Sequence, residues 1–256
     1  MEKLFITQYK AIKYLTQKKK KINGRNNKGQ ISIFGRGGGN KKKYRLIDFN
    51  KFIWNIPGII LRIESDPNRT SLISLISYTN GIINYSLNIK GTYTGDYIIN
   101  QSQEKNLLGF TSYIKDINLN TKISQIEYNF LSKMQYCRAA GSYAIIIKKG
   151  KKNSLLKLNV KKHKIFQIWS IAVIGQISNL KHKLKKYKNA GHRSAMGFKP
   201  KVRGVAMNPI DHPHGGGEGK SSGGRPSVTP WGKITKGKKT QKKWKKDVYH
   251  KNIKKI

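Results

Sequence analysis

Residues Ser71–Leu87 read SLISLISYTNGIINYSL. Two runs rich in Ile, a β-branched residue, flank Asn80-Gly81. Asn-Gly between two such runs is the strongest short-range sign of a hairpin, because both residues tolerate the positive φ of a two-residue turn. The pattern extends outward. Upstream, YRLIDF (Tyr44–Phe49) and IPGIILRIES (Ile56–Ser65) are short apolar runs. Asp66-Pro67-Asn68 reads as a turn, since proline presets φ and Asp and Asn bond their own backbone. Downstream, Gly95-Asp96 turns into YIIN (Tyr97–Asn100). Several short strands at close spacing predict a small barrel over residues 44–115, with the OB-fold one candidate.

Residues 116–190 read as a second β unit. SYAIIIKK (Ser142–Lys149), a turn at Gly150–Asn153 and SLLKLNV (Ser154–Val160) form a hairpin. KIFQIWSIAVIGQIS (Lys164–Ser178) supplies one or two more strands, and Gly141 and Gly175 suit bends. In NLKHKLKKYK (Asn179–Lys188), Leu180 and Leu184 stand four residues apart, as in a short helical turn.

Outside these units apolar periodicity stops. Residues 1–43 read as a basic arm. GRNNKGQ (Gly24–Gln30) and GRGGGNKKK (Gly35–Lys43) carry loop chemistry, and backbone N–H groups there can point at phosphates. Residues 191–256 read as an irregular extension without secondary structure. Within it, PKVRGVAMNPIDHPHGGGEGKSSGGRPSVTPW (Pro200–Trp231) has no period of 3.6 or 2. Pro209 and Pro213 push the preceding residues toward extended geometry, and Gly215, Gly216 and Gly217 remove every Cβ from one spot. Such a stretch is expected to bury no face of its own and to be ordered by a partner. Lys interleaved with Trp244 and Tyr249 suits phosphate neutralisation plus base stacking.

Charge indicates the partner. The chain has 53 Lys and Arg against 11 Asp and Glu, a net charge of +42. Its counterpart must be a dense polyanion. The basic residues run the whole length, which favours a protein embedded in nucleic acid over an enzyme with one basic patch. Hydrophobic residues are 37% of the chain, below the roughly 45–50% of ordinary domains, so a core is expected for only part of the length. The single cysteine, Cys137, excludes intramolecular disulfides and thiolate clusters and reads as a small buried hydrophobe. Ile165–Gly175 is too short for the roughly 20 residues of a membrane span, and the N-terminus lacks the apolar segment of a secretory signal.

Catalytic patterns fail on context. HGGGEGKS (His214–Ser221) ends like a phosphate-binding loop, but it has His where glycine is required and no strand before it. GKSSG (Gly219–Gly223) matches a nucleophile elbow without the strand and helix that one needs. Asp211, His212 and His214 do not make a four-ligand zinc set. No catalytic residue, metal site or cofactor is expected.

Pro200–Lys220, RPSVTPWG (Arg225–Gly232) and TKGKKT (Thr235–Thr240) together resemble the C-terminal signature of the universal large-subunit ribosomal protein L-two family. GRNNKGQI, GRGGGNKKKYRLIDF, DPNR (Asp66–Arg69) and CRAAGSYA (Cys137–Ala144) follow that family's order upstream. The resemblance implies a mainly β fold, an OB-fold-like RNA-binding barrel (44–115) then an SH3-like barrel (116–190), between a long irregular basic N-terminal arm (1–43) and an irregular, basic, rRNA-binding C-terminal extension (191–256). It implies a non-enzymatic constituent of the large ribosomal subunit that binds large-subunit rRNA near the subunit interface and the peptidyl-transferase region. There it would support assembly, subunit association and translation. The implied partners are rRNA, neighbouring ribosomal proteins and the small subunit across the intersubunit face. Structural Mg²⁺ at RNA contacts is compatible with this reading but not encoded in the sequence.

The arginines expected to meet phosphates or guanine edges are Arg25, Arg36, Arg69, Arg138, Arg193, Arg203 and Arg225. The motifs add Lys41, Lys42, Lys188, His192, Lys201, Asn208, Asp211, His212, His214, Gly215, Gly216, Gly217, Lys220, Trp231 and Lys236 as RNA-binding residues. His212 matches the family histidine suggested to assist peptide-bond formation; it is read as an RNA contact, because RNA carries that chemistry. The chain departs from the family at Asn40, where a His is usual, and in Gln101–Thr111 and Asn129–Met134. Its wording in Ser221–Gly232 and its A+T-type composition point to the mitochondrial matrix and the mitoribosome, with the plastid as alternative.

Overall fold

The computed structural model describes residues 11–21, 23–100, 107–158, 163–219 and 221–237. Asn159 and Val160, residues 101–106, Lys220 and the Trp244–Tyr249 stretch, all discussed above, lie outside the described residues. Two compact units are present. One comprises residues 11–19 with Lys42–Lys186, the other Lys20–Lys41 with residues 187–237.

The first unit is built of short antiparallel strands. β1 (Thr16–Lys18) pairs with β2 (Lys43–Arg45). The basic arm thus contributes a strand that the sequence did not signal, and the strand expected over Tyr44–Phe49 is shorter. β3 (Gly58–Ser65), β4 (Leu72–Tyr78), β5 (Ile83–Leu87) and β6 (Tyr97–Ile98) form a sheet in the order β5-β4-β3-β6. The Asn80-Gly81 turn joins β4 to β5 as predicted. Gly81 has φ +82°, and Asn80 Oδ1 accepts from Ile82 N–H at 3.1 Å. The Asp66 turn also forms, with Asp66 Oδ1 accepting from Asn68 N–H at 3.1 Å.

The remaining strands are β7 (Thr111–Tyr113), β8 (Lys122–Ser124), β9 (Ile126–Glu127), β10 (Met134–Tyr136), β11 (Ala144–Lys149), β12 (Asn153–Leu158), β13 (His163–Gln167) and β14 (Ile171–Ile174). Six of them make one antiparallel sheet, β13-β12-β11-β8-β14-β7, and β9 and β10 make a separate pair. The expected β11–β12 hairpin is present, and Lys164–Ser178 yields parts of two strands. Both main sheets curl as half-barrels, in keeping with the OB-fold and SH3-like architecture. Bulges bend them: β3 shifts register between Ile60 and Arg62, and β11 between Ile146 and Lys148.

Isoleucine fills the interior. Ile114, Ile117, Ile123, Ile126, Ile146 and Phe166 form one cluster, while Ile73, Leu75, Tyr85 and Leu87 pack with Ile171, Val173 and Ile177 in another. The second cluster ties the two sheets together. Cys137 packs against the first cluster as an apolar group, and burial pushes its thiol up to about 11.

Acidic residues of this unit are used internally. Glu64 accepts from Arg62 Nε at 2.7 Å, Arg45 Nε at 3.3 Å and the Tyr85 hydroxyl at 3.1 Å. Asp66 pairs with Arg69 at 2.5 Å and Arg45 at 3.5 Å. Buried carboxylates need such partners, because an unpaired buried charge costs several kcal/mol. Lys51 is also buried and donates to Ser86 Oγ at 2.7 Å. Burial lowers its pKa, and nearby Asp48 opposes that shift.

Candidate nucleic-acid interface

The second unit starts from glycine and asparagine. Asn26 Oδ1 accepts from the backbone N–H groups of Lys28 and Gln30, both at 3.0 Å, which closes a tight loop. Arg25 stands at its neck, bridged to Ile31. The following GRGGGN segment runs against residues 195–199. Gly37 N–H donates to Gly197 O at 3.2 Å, Asn40 N–H to Ala195 O at 2.9 Å, and Lys199 N–H to Gly35 O at 3.0 Å. A Cβ on Gly39, which has φ +72°, would lie 2.7 Å from Gly197 N, so this glycine serves protein packing.

Residues 191–256 were expected to lack secondary structure, yet α1 (Ala190–Ala195) forms there. Asn189 caps it: its side chain accepts from His192 N–H at 2.8 Å. A 3₁₀ turn follows at Gly204–Ala206. Among cations, Arg36 lies over the Phe198 ring at 4.1 Å and Arg193 at 5.9 Å from the same ring. One aromatic ring therefore orients two exposed guanidinium groups while leaving their N–H donors open.

Residues 208–219 and Ser221 make internal bonds that the sequence did not signal. Asn208 O accepts from Asp211 N–H (3.0 Å) and His212 N–H (3.3 Å), His212 O from Gly215 N–H (2.8 Å), and Met207 O from Gly216 N–H (3.1 Å). Ser221 Oγ donates to Gly216 O at 2.9 Å. His212 is buried at the centre, 8% exposed, with its ring against Gly204, where a Cβ would fall 2.5 Å from the imidazole. His212 Nδ1 accepts from His214 N–H at 3.0 Å. His214 Nε2 accepts in turn from Val228 N–H at 3.3 Å. Both histidines thus brace backbone.

The triple glycine has the same cause. A Cβ on Gly215 would lie 2.4 Å from Asn208 O and 2.5 Å from Met207 O; one on Gly216 would lie 2.7 Å from the Pro209 ring. These glycines allow the loop to close on itself. The RNA approach expected of them is not what demands their lack of a side chain. Beyond the loop, Val228 and Ile234 bridge to form a small hairpin. Trp231 near its tip is 60% exposed and meets Phe34 at 5.8 Å between ring centroids.

The predicted site residues divide. Arg25, Arg36, Lys41, Lys188, His192, Arg193, Lys201, Arg203, Asn208, Asp211, His212, His214, Gly215, Gly216, Gly217, Arg225, Trp231 and Lys236 all belong to the second unit. Lys42, Arg69 and Arg138 belong to the first. Arg138 is exposed over the Phe49 ring at 4.9 Å, whereas Arg69 is tied to Asp66 at 2.5 Å, with the Tyr44 ring 5.6 Å away. Its guanidinium carries a structural load that the sequence did not disclose.

Charge sorts by unit. In residues 20–41 and 187–237 the only acids are Asp211 and Glu218, and no ion pair forms there among the described residues. Arg25, Arg36, Arg193, Arg203 and Arg225 are all exposed. Exposed cations that outnumber the carboxylates and are held on a braced backbone have the chemistry to neutralise phosphate. Among the described residues no group of three or more His, Cys, Asp or Glu side chains is placed to hold a metal, and no helix is long and apolar enough to cross a membrane.

Comparison with known proteins does not divide the chain the same way, because the profile named for RNA binding falls mostly on residues of the first unit. Residues 12–100 match the family profile "Ribosomal Proteins L2, RNA binding N-terminal domain", and residues 108–232 match "Ribosomal Proteins L2, C-terminal domain". The chain is 43% identical over 233 residues to large ribosomal subunit protein uL2 of Orientia tsutsugamushi, covering 91% of this chain and 85% of that protein. It is 46% identical over 223 residues to large ribosomal subunit protein uL2m of Reclinomonas americana, covering 87% and 80%. With uL2 of Rhodospirillum rubrum it shares 41% over 238 residues, covering 93% and 85%.

Proposed function

The chain belongs to the ribosomal protein L2 family, and from that premise we propose that it binds large-subunit rRNA through the cationic surface of its second unit together with its RNA-binding N-terminal domain, near the subunit interface and the peptidyl-transferase region. It is a large-subunit ribosomal protein with an RNA-binding domain, and not an enzyme. The observation that carries the finer reading is the braced cationic surface. Arg36 and Arg193 are oriented on Phe198, and the Asn208–Ser221 loop is folded around His212. A surface already formed loses less conformational entropy on binding than an extended tail would. Its role there is to support assembly, subunit association and translation, with neighbouring ribosomal proteins and the small subunit as further partners. No cofactor is required beyond Mg²⁺ accompanying the RNA.

The ribosome in question is mitochondrial, the plastid being the alternative. Similarity to a uL2m and to alphaproteobacterial uL2 proteins supports the mitochondrial reading.

Filter binding to large-subunit rRNA over a salt series, against random RNA of equal length, tests the proposal. Tighter, steeply salt-dependent binding to the rRNA is expected. Equal affinity for both RNAs would make the protein a general packaging factor and overturn the reading.

A further inference from the structure

A pocket of about 430 Å³ opens within the second unit, inside the ~300–1,000 Å³ range of small-molecule sites. Phe34, Val202, Met207 and Pro230 give it apolar walls, and Asp211 and His212 give it a polar side. Phe34 meets Trp231 at 5.8 Å, so an aromatic face of the kind on which a base stacks is present.

Its two polar groups are unusual for this chain. Asp211 is one of two acids in the unit, and among the described residues nothing bonds to its carboxylate. A free carboxylate repels phosphate, so it weakens binding unless it accepts N–H donors from another part of the RNA. His212 Nδ1 is already an acceptor for His214 N–H. The neutral ring therefore carries its proton on Nε2, which has no protein partner among the described residues. The pair offers an acceptor beside a donor. On a guanine, N1–H and the N2 amino group are adjacent donors that one carboxylate takes together, and O6 beside them accepts from an N–H. Adenine, cytosine and uracil each present at most one N–H position on that edge, so they satisfy a carboxylate less completely.

We infer that this pocket receives an unpaired guanine extruded from the bound RNA, with its ring on the Phe34 side, its N1–H and N2 amino edge on Asp211, and its O6 toward His212. The inference rests on the rRNA-binding reading. Lys201, which also lines the pocket, supplies charge for the neighbouring phosphate. Extrusion is least costly for a base that is already unpaired.

The test is chemical probing of large-subunit rRNA bound to the full-length protein. A glyoxal reagent reports unpaired guanine at N1 and N2, dimethyl sulfate reports adenine and cytosine, and a carbodiimide reports uracil. Wild-type protein is expected to protect a guanine that is unpaired in the free rRNA. Val202→Trp, which fills the pocket, should lose that protection while total rRNA binding is retained, and Asp211→Asn, which keeps the shape of an exposed side chain, should lose the protection at the same guanine. An unchanged guanine pattern in Asp211→Asn, or a change confined to adenine, cytosine or uracil, overturns the inference. Failure of the wild-type protein to prefer rRNA over random RNA would instead overturn the parent reading.

Discussion

Substitution of Gly215 by alanine probes the self-bracing of the loop. The new Cβ would fall 2.4 Å from Asn208 O, 2.5 Å from Met207 O and 2.6 Å from Asn208 C. All three are backbone atoms, so no side chain can rotate away. The loop must open, and the bonds at risk are Gly215 N–H to His212 O, Gly216 N–H to Met207 O, and the two that end on Asn208 O. At about 0.5–1.5 kcal/mol net for each bond, loss of two gives roughly 1–3 kcal/mol. That energy must be regained when RNA re-forms the loop, which weakens rRNA binding by about 5- to 150-fold. The control is Gly223→Ala, whose Cβ makes an ordinary 3.6 Å contact with the His214 ring. Amide hydrogen exchange on the free protein and filter binding to rRNA are the assays. Gly215→Ala should exchange faster at Asp211, His212, Gly215 and Gly216 and bind more weakly, while Gly223→Ala matches wild type. Wild-type exchange and affinity in Gly215→Ala would refute the reasoning.

Arg36→Ala should lower the slope of log K against log salt by about 0.7–0.9, one phosphate contact, with an unchanged melting temperature. Arg69→Ala should instead destabilise the first unit by ~1.5–3 kcal/mol, because it leaves the buried Asp66 with only the longer Arg45 ion pair; thermal melts separate the two outcomes. Lys51 has a folded-state pKa below its unfolded value, so the native state binds fewer protons and stability rises with pH from that lowered pKa towards 10.5. Lys51→Met should flatten this rise, read from urea midpoints at both ends of the window. With its thiol held at about 11, Cys137 should alkylate at pH 8 roughly a hundredfold more slowly than in the urea-unfolded chain. His212→Ala should impair assembly, since it leaves His214 N–H without its acceptor, but peptide-bond formation per assembled ribosome should persist. Normal assembly with collapsed peptidyl transfer would make the histidine catalytic.

Local chemistry was legible wherever a short stretch decides its own shape. Asn80-Gly81 and Asp66-Pro67-Asn68 form the turns expected of them, and Ile-rich runs become strands because β-branched side chains pack well on a pleated surface. Features that depend on distant partners were not legible. Thr16–Lys18 has no alternation of its own and becomes a strand only because Lys43–Arg45 lies beside it. Arg69 resembles any exposed arginine until Asp66 is seen to hold it. Helix α1 is too short for periodicity to register, although Asn189 as its cap was a signal available in the sequence. At Gly215–Gly217 the need for glycine was evident, but the neighbour that imposes it was not. That neighbour is the chain's own Met207–Pro209 segment at Gly215 and Gly216 and Ser221 at Gly217, so the motif that had looked open-ended is a closed loop with cations around it.

A density map of the assembled large subunit tests the central claim most directly. The claim predicts residues 204–219 in the same closed turn around His212, with rRNA against its outer face and against Arg36 and Arg193. A stretched loop that has lost its Asn208 and Met207 carbonyl bonds, or a closed one facing only protein or solvent, would contradict it.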